Sequence, residues 1–145
     1  MKLKVCWIGR TKEAAISALT SEYLKRLTCY VPAEAQELRS EKALLELIAR
    51  ERSRPVVALL DARGRQMTSQ EFAEFLRRQQ DQGTQTLLFA VGPPDGWSEQ
   101  TLKAATHTLS LGRMTLAHEI ARVVLLEQIY RGFTILAGHP YHTAH

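Results

Sequence analysis

Residues 108–145, TLSLGRMTLAHEIARVVLLEQIYRGFTILAGHPYHTAH, carry the reading that decides the fold. A short apolar run, Leu109 to Leu111, breaks at Gly112, and the loop Arg113-Met114-Thr115 follows. Then Ile120, Val123, Val124, Ile129 and Phe133 recur at helical spacing, with Leu125, Leu126 and Ile135 widening the apolar stripe. Gly138 and Pro140 stop that helix, leaving an aromatic, histidine-rich tail. A polar loop between a buried strand and a nearly all-apolar helix is costly unless it binds something. It reads as the ligand-binding edge of an α/β domain.

Upstream, the same grammar repeats. Val56-Val57-Ala58-Leu59-Leu60-Asp61 after Pro55 is an apolar run of the kind buried on both faces of a parallel sheet. Residues 61–64 turn. Thr68-Ser-Gln-Glu71 is a capping-box pattern that opens a helix over 69–80, burying Phe72, Phe75 and Leu76. A second buried strand over 86–91 runs into the rigid turn Gly92-Pro-Pro-Asp-Gly96, and Ser98 caps a short helix to Ala105. Towards the N-terminus the pattern predicts a strand over 2–8, a helix over 11–27 with Ile16, Leu19, Tyr23, Leu24 and Leu27 inward, a short strand over 33–38, and a helix over 40–52 capped by Ser40. Strands alternating with helices imply a parallel, helix-covered sheet, with ligands outside the carboxyl ends of its strands. The loops after Leu60, Val91 and Leu111 are therefore expected to converge on one site.

The 145 residues suffice for one domain with a real core, expected to span 1–145, and no linker divides them. No run approaches the roughly 20 apolar residues of a membrane span, and no signal-peptide pattern precedes the first strand. The expectation is a cytoplasmic protein, with Cys6 and Cys29 as reduced thiols. The net charge of +4 permits an RNA partner without demonstrating one.

Several chemistries lack their residues. There is no GxxxxGK[ST] and no GxGxxG after the first strand. Pro93 and Pro94 remove two backbone donors from the turn after Val91, so it makes a poor phosphate nest. A pocket of strand-end backbone and apolar walls fits better. Ser69 and Ser110 lack a nucleophile-elbow context, so a hydrolase triad has little support. His139, His142 and His145 are spaced by three, but no cysteine or carboxylate accompanies them, and no metal site is expected. His118 stands at the start of the long helix, where the helix dipole disfavours its protonated form. Glu127 and Arg131 read as an i, i+4 surface pair. Arg122 and Arg131 either line an anion or RNA surface or sit in water.

One resemblance covers essentially the whole chain. Leu60-Asp61 with Gly64, Gly92 with Asp95-Gly96, and LSLGRMTL over 109–116 appear in order, followed by His118, Arg122, Glu127-Gln-Ile-Tyr130-Arg131 and Pro140-Tyr141-His142. Together they resemble the ribosomal large-subunit methyltransferase H family of small SPOUT enzymes.

That resemblance implies a parallel-sheet α/β domain with a C-terminal trefoil knot, a homodimer, and S-adenosyl-L-methionine as cofactor. It implies methylation of N3 of a pseudouridine in helix 69 of 23S rRNA on the assembled ribosome. The cofactor contacts it carries over are Leu60, Gly92, Leu111, Gly112, Arg113, Met114, Thr115 and Leu116. Substrate contacts are expected at His118, Arg122, Tyr141 and His142; the catalytic base is not assigned. A branched side chain at Gly92 is expected to block the cofactor. The chain departs from the family pattern at Pro93, Ala117 and residues 143–145, and its 30–54 segment is short. The alternative is a SPOUT-fold rRNA-binding protein whose catalysis is impaired.

Overall fold

The computed structural model describes residues 1–141. Five strands, β1 (Lys2–Ile8), β2 (Ala33–Leu38), β3 (Val56–Gln66), β4 (Thr86–Val91) and β5 (His107–Ser110), alternate with α1 (Ala14–Leu27), α2 (Glu41–Arg50), α3 (Ser69–Asp81), α4 (Glu99–Ala104) and α5 (His118–Ala137). The strands form one sheet in the order β2-β1-β4-β3-β5, and every pairing is parallel. All five carboxyl ends therefore face the same edge.

Strand alternation sorts the side chains into two cores. Leu3, Val5, Trp7, Leu87 and Phe89 point to the face covered by α1, α3 and α5, where they meet Leu27, Phe72, Leu76, Leu125, Leu126, Ile129 and Phe133. Cys6, Leu88 and Ala90 point to the opposite face, against Leu44 and Leu47 of α2, with Leu102 of α4 at its margin. Burying each large apolar side chain contributes about 1.5–3 kcal/mol, so the four inward residues of α5 outweigh any propensity effect in fixing that helix.

The helix ends follow their chemistry. The Ser40 hydroxyl accepts from the Ala43 amide. Thr68 and Glu71 form the full reciprocal capping box. Gly138 closes α5 in the left-handed conformation, φ 71°.

Some boundaries depart from the sequence reading. α1 begins at Ala14 rather than residue 11, because Thr11, Lys12 and Glu13 spend their amides on the carboxylates of Glu37 and Glu119. α2 ends at Arg50, two residues early. Leu19 and Ile120, read as inward, are 43% and 47% exposed.

The largest departure is β3, which does not end at Asp61. Residues 61–64 leave the sheet, with the Arg63 amide donating to Asp61 Oδ1 at 2.8 Å, and the strand resumes beside β5. Leu60 and Arg65 both register against Leu109. At Gly64 the chain presses on β5 so closely that a Cβ would lie 2.7 Å from the Leu109 nitrogen.

Candidate functional site

A cavity of about 680 Å³ opens at the carboxyl edge. Its walls come from three segments: Leu60 to Arg63 at the excursion within β3, Val91 to Trp97 at the end of β4, and Leu109 to His118 from the end of β5 to the start of α5, except Arg113. Its lining includes the apolar residues Leu60, Val91 and Leu109 and the glycines Gly92, Gly96 and Gly112.

The β3 and β4 loops are bolted together by a residue that the sequence reading passed over. The Trp97 indole Nε1 donates to the Leu60 carbonyl at 2.8 Å. Its ring lies flat against Gly92, where a Cβ would be 2.7 Å from Trp97 Cε2. Gly92 is thus required by the indole; the open cavity does not lie in its Cβ direction. A tryptophan wedged between Gly96 and the helix-capping Ser98 was the available signal.

The third wall is organised by Ser110. Its hydroxyl donates to the Gly112 carbonyl at 2.9 Å and accepts from the Gly112 amide at 3.2 Å. Gly112 has φ 140°, and nothing stands within 4 Å of where its Cβ would be. Beyond it, the backbone N–H groups of Arg113, Met114, Thr115 and Leu116 donate to no partner among the described residues. Four consecutive free donors at a cavity mouth suit a ligand rich in acceptors.

His118 lines the cavity at the start of α5. Its Nδ1 lies 3.5 Å from an Arg122 guanidinium nitrogen, and its Nε2 is buried without a hydrogen-bond partner by distance and angle among the described residues. Burial first, and then the Arg122 charge, hold its pKa below the ordinary histidine value; the Val91 and Gly92 carbonyls pull weakly the other way.

The expected residues do not all fall in one place. Leu60, Gly92, Leu111, Gly112, Met114, Thr115, Leu116 and His118 surround one cavity. Arg113 is exposed and points outside it. Arg122 does not face an open RNA surface: it is fully buried, with its guanidinium 4.2 Å from the Trp7 ring centroid and a hydrogen bond to Thr11.

Tyr141 folds back on α5, its ring 4.9 Å from that of Tyr130 and its hydroxyl 3.4 Å from Glu127 Oε1. It does not line the cavity of its own chain. Glu127 and Arg131 form the i, i+4 ion pair the sequence suggested, at 2.5 Å and mostly shielded from solvent. His142 and His145 lie outside the described residues. His139 hydrogen-bonds Tyr30, and no group of three or more metal-ligand side chains stands together among the described residues.

The family model described as "Predicted SPOUT methyltransferase" matches residues 1–142. The chain belongs to the SPOUT methyltransferase family. It is 61% identical over 146 residues, covering all of both chains, to a protein of Koribacter versatilis named Ribosomal RNA large subunit methyltransferase H. It is 45% identical over 152 residues to a protein of that name from Geobacter sp. strain M21, covering 98% of this chain and 99% of the relative. Among solved structures, the SpoU methyltransferase AviRb of Streptomyces viridochromogenes, in complex with AdoMet, superposes with a TM-score of 0.51 at 12% identity. That match covers 96% of this chain and 58% of AviRb and speaks to the fold alone. The all-parallel sheet and the family both agree with the resemblance drawn from the sequence.

Proposed function

We propose that this SPOUT methyltransferase uses S-adenosyl-L-methionine to methylate large-subunit ribosomal RNA, at N3 of a pseudouridine in helix 69 of 23S rRNA on the assembled ribosome. The observation that carries the reading is the cavity walled by three strand-end loops with free backbone donors, in a chain akin end to end to proteins named Ribosomal RNA large subunit methyltransferase H. The cofactor has acceptor-rich adenine and carboxylate groups and no phosphate. The unpaired amides of residues 113–116 and the apolar lining at Leu60 and Leu109 fit it, whereas a phosphate nest would not.

When bound, S-adenosyl-L-methionine supplies an electrophilic methyl on a sulfonium. The protein's own residues orient it. Leu60, Gly92, Leu111, Gly112, Met114, Thr115 and Leu116 form its cradle, with Trp97 fixing the distance between two of the walls. Arg113 belongs to the rim instead. The acceptor N3 must shed its proton as it attacks, so in-line placement of the base carries much of the rate.

RNA contact is supported by charge at the same edge. Arg10 and Lys12 follow β1, Arg39 follows β2, Arg63 stands in the excursion of β3, and Arg113 follows β5; all are exposed. Among the described residues none makes an ion pair, except Arg63 with Asp61 at 3.8 Å. Three nearby carboxylates are already engaged: Glu37 and Glu119 hold the β1–α1 loop and Glu41 holds Ser98.

A homodimer, with Tyr141 and His142 positioning the base in the partner's pocket, completes the proposal. Met114, Leu116 and Ile120 are 86%, 38% and 47% exposed beside that pocket, an apolar set suited to a second copy. The C-terminal knot, a single domain over 1–145 and a cytoplasmic setting belong to the same reading; no helix among the described residues is long and apolar enough to cross a membrane.

The test is methyl transfer to ribosomes lacking the helix 69 modification, read by mass spectrometry of digested rRNA, with naked 23S rRNA as comparison. A methylated pseudouridine on assembled ribosomes is the expected product. Cofactor bound without transfer would point to another RNA, and loss of both to a scaffold without chemistry.

A further inference from the structure

A guanidinium is a donor at every nitrogen and carries its charge at any physiological pH. Arg122 has no exposed surface and is held on three sides: the Trp7 ring beneath it at 4.2 Å, Thr11 Oγ1 at one end, and His118 Nδ1 at 3.5 Å. A proton on Nδ1 would face these donors, so Nδ1 must present its lone pair. The single proton of a neutral imidazole then sits on Nε2. That atom is buried with no hydrogen-bond partner by distance and angle among the described residues, in a ring that lines the cavity beside Val91 and Gly92.

We propose that Arg122 is a positioning residue that locks His118 as the neutral Nε2–H tautomer, so that His118 serves as a fixed part of the cavity wall and is not the base that accepts the N3 proton. The second half rests on the methyltransferase reading; the first stands without it. Neither nitrogen is available as a base: Nδ1 is blocked by a fixed cation, and Nε2 already carries hydrogen and points into the protein.

The charges around the ring agree. Arg122 on α5 opposes protonation of His118, and Glu119 on the same helix favours it. Glu119 is occupied by the amides of Lys12 and Glu13, while Glu37 at the end of β2 offsets part of the Arg122 charge. Burial tips the balance to the neutral form.

Nitrogen-15 NMR of the histidine rings in the intact protein reads the tautomer directly. A bare Nδ1 and a protonated Nε2 on His118 at neutral pH are expected; the reverse tautomer, or an imidazolium, overturns the proposal. Arg122→Met should raise the His118 midpoint and admit the Nδ1–H form, and an unchanged midpoint in the folded variant counts against the lock. Kinetics supply the test that needs no change at Arg122. His118→Gln should raise KM for S-adenosyl-L-methionine and lower kcat by less than about tenfold, whereas loss of a true base costs about 10²–10⁴-fold. A fall of that larger size, with KM unchanged and the acidic limb of the rate profile gone, would make His118 the base. If the tautomer is as stated but ribosomes are not methylated by the native protein, the functional reading fails and the lock survives.

Discussion

Trp97 Nε1 and the Leu60 carbonyl oxygen stand 2.8 Å apart, and this one hydrogen bond fixes the gap between two walls of the cavity. Trp97→Phe keeps most of the ring and deletes the donor. It leaves a half-buried carbonyl unpaired, at about 1 kcal/mol in stability. Because the wall spacing also changes, cofactor affinity measured by calorimetry should fall several-fold while the far-ultraviolet circular dichroism stays native.

The same indole makes Gly92 intolerant of any side chain. Gly92→Ala puts a methyl 2.7 Å from the ring, an overpacking that costs about 1–3 kcal/mol. Urea denaturation should show the lowered midpoint, and near-ultraviolet circular dichroism a displaced tryptophan. A variant with native stability and native Trp97 signal would refute the contact.

Binding to ribosomal RNA should depend steeply on salt through the strand-end cations. Substituting Arg10, Arg39 or Arg113 by alanine should each make the plot of log affinity against log salt shallower by about one unit. Arg52 and Arg54, on the loop entering β3 at the opposite edge, serve as controls of equal charge. Equal effects from both edges would mean that net charge alone attracts the RNA.

Glu37 should make the loop after β1 sensitive to acid. The Thr11 amide, at 2.9 Å, and then the Trp7 indole hold its carboxyl below the ordinary value of 4.5. A depressed carboxylate contributes stability that is present above its unfolded pKa and lost as pH falls through the folded one. Stability should therefore decline on acidification below about pH 4.5, and Glu37→Gln should flatten that part of the curve.

The proposed dimer should come apart at the apolar patch of Met114, Leu116 and Ile120. Ile120→Asp places a charge on a residue that is already 47% exposed, so the monomer fold tolerates it. Sedimentation at micromolar concentration should show monomer for the variant and dimer for the native chain.

Much of this architecture was legible because periodicity reports burial. Val56 to Leu60 and residues 86–91 read as strands since both faces of a parallel sheet are covered, and the loops meeting at the cavity followed from strand direction alone. What was illegible depends on contacts distant in sequence. The start of α1 is set by Glu37 and Glu119, up to 107 residues away from their backbone partners. Arg122 looks like a surface cation on a helix until Trp7 and Thr11 are brought beside it. Ile120 fits the apolar stripe by spacing yet faces outward, since periodicity cannot tell an exposed apolar position from a buried one.

The excursion of β3 at residues 61–64 has a bearing on how the gene for such a protein can drift. Loops at a sheet edge ordinarily accept insertions at little thermodynamic cost. Here both ends of the loop are pinned to one residue, Leu109, and Gly64 touches the β5 backbone between them. An inserted residue must push Arg65 out of register or drive a side chain into β5, and a one-residue slip turns every following strand position to the wrong face. Length variation at the site edge should therefore fall on the other loops, and this segment serves as a ruler.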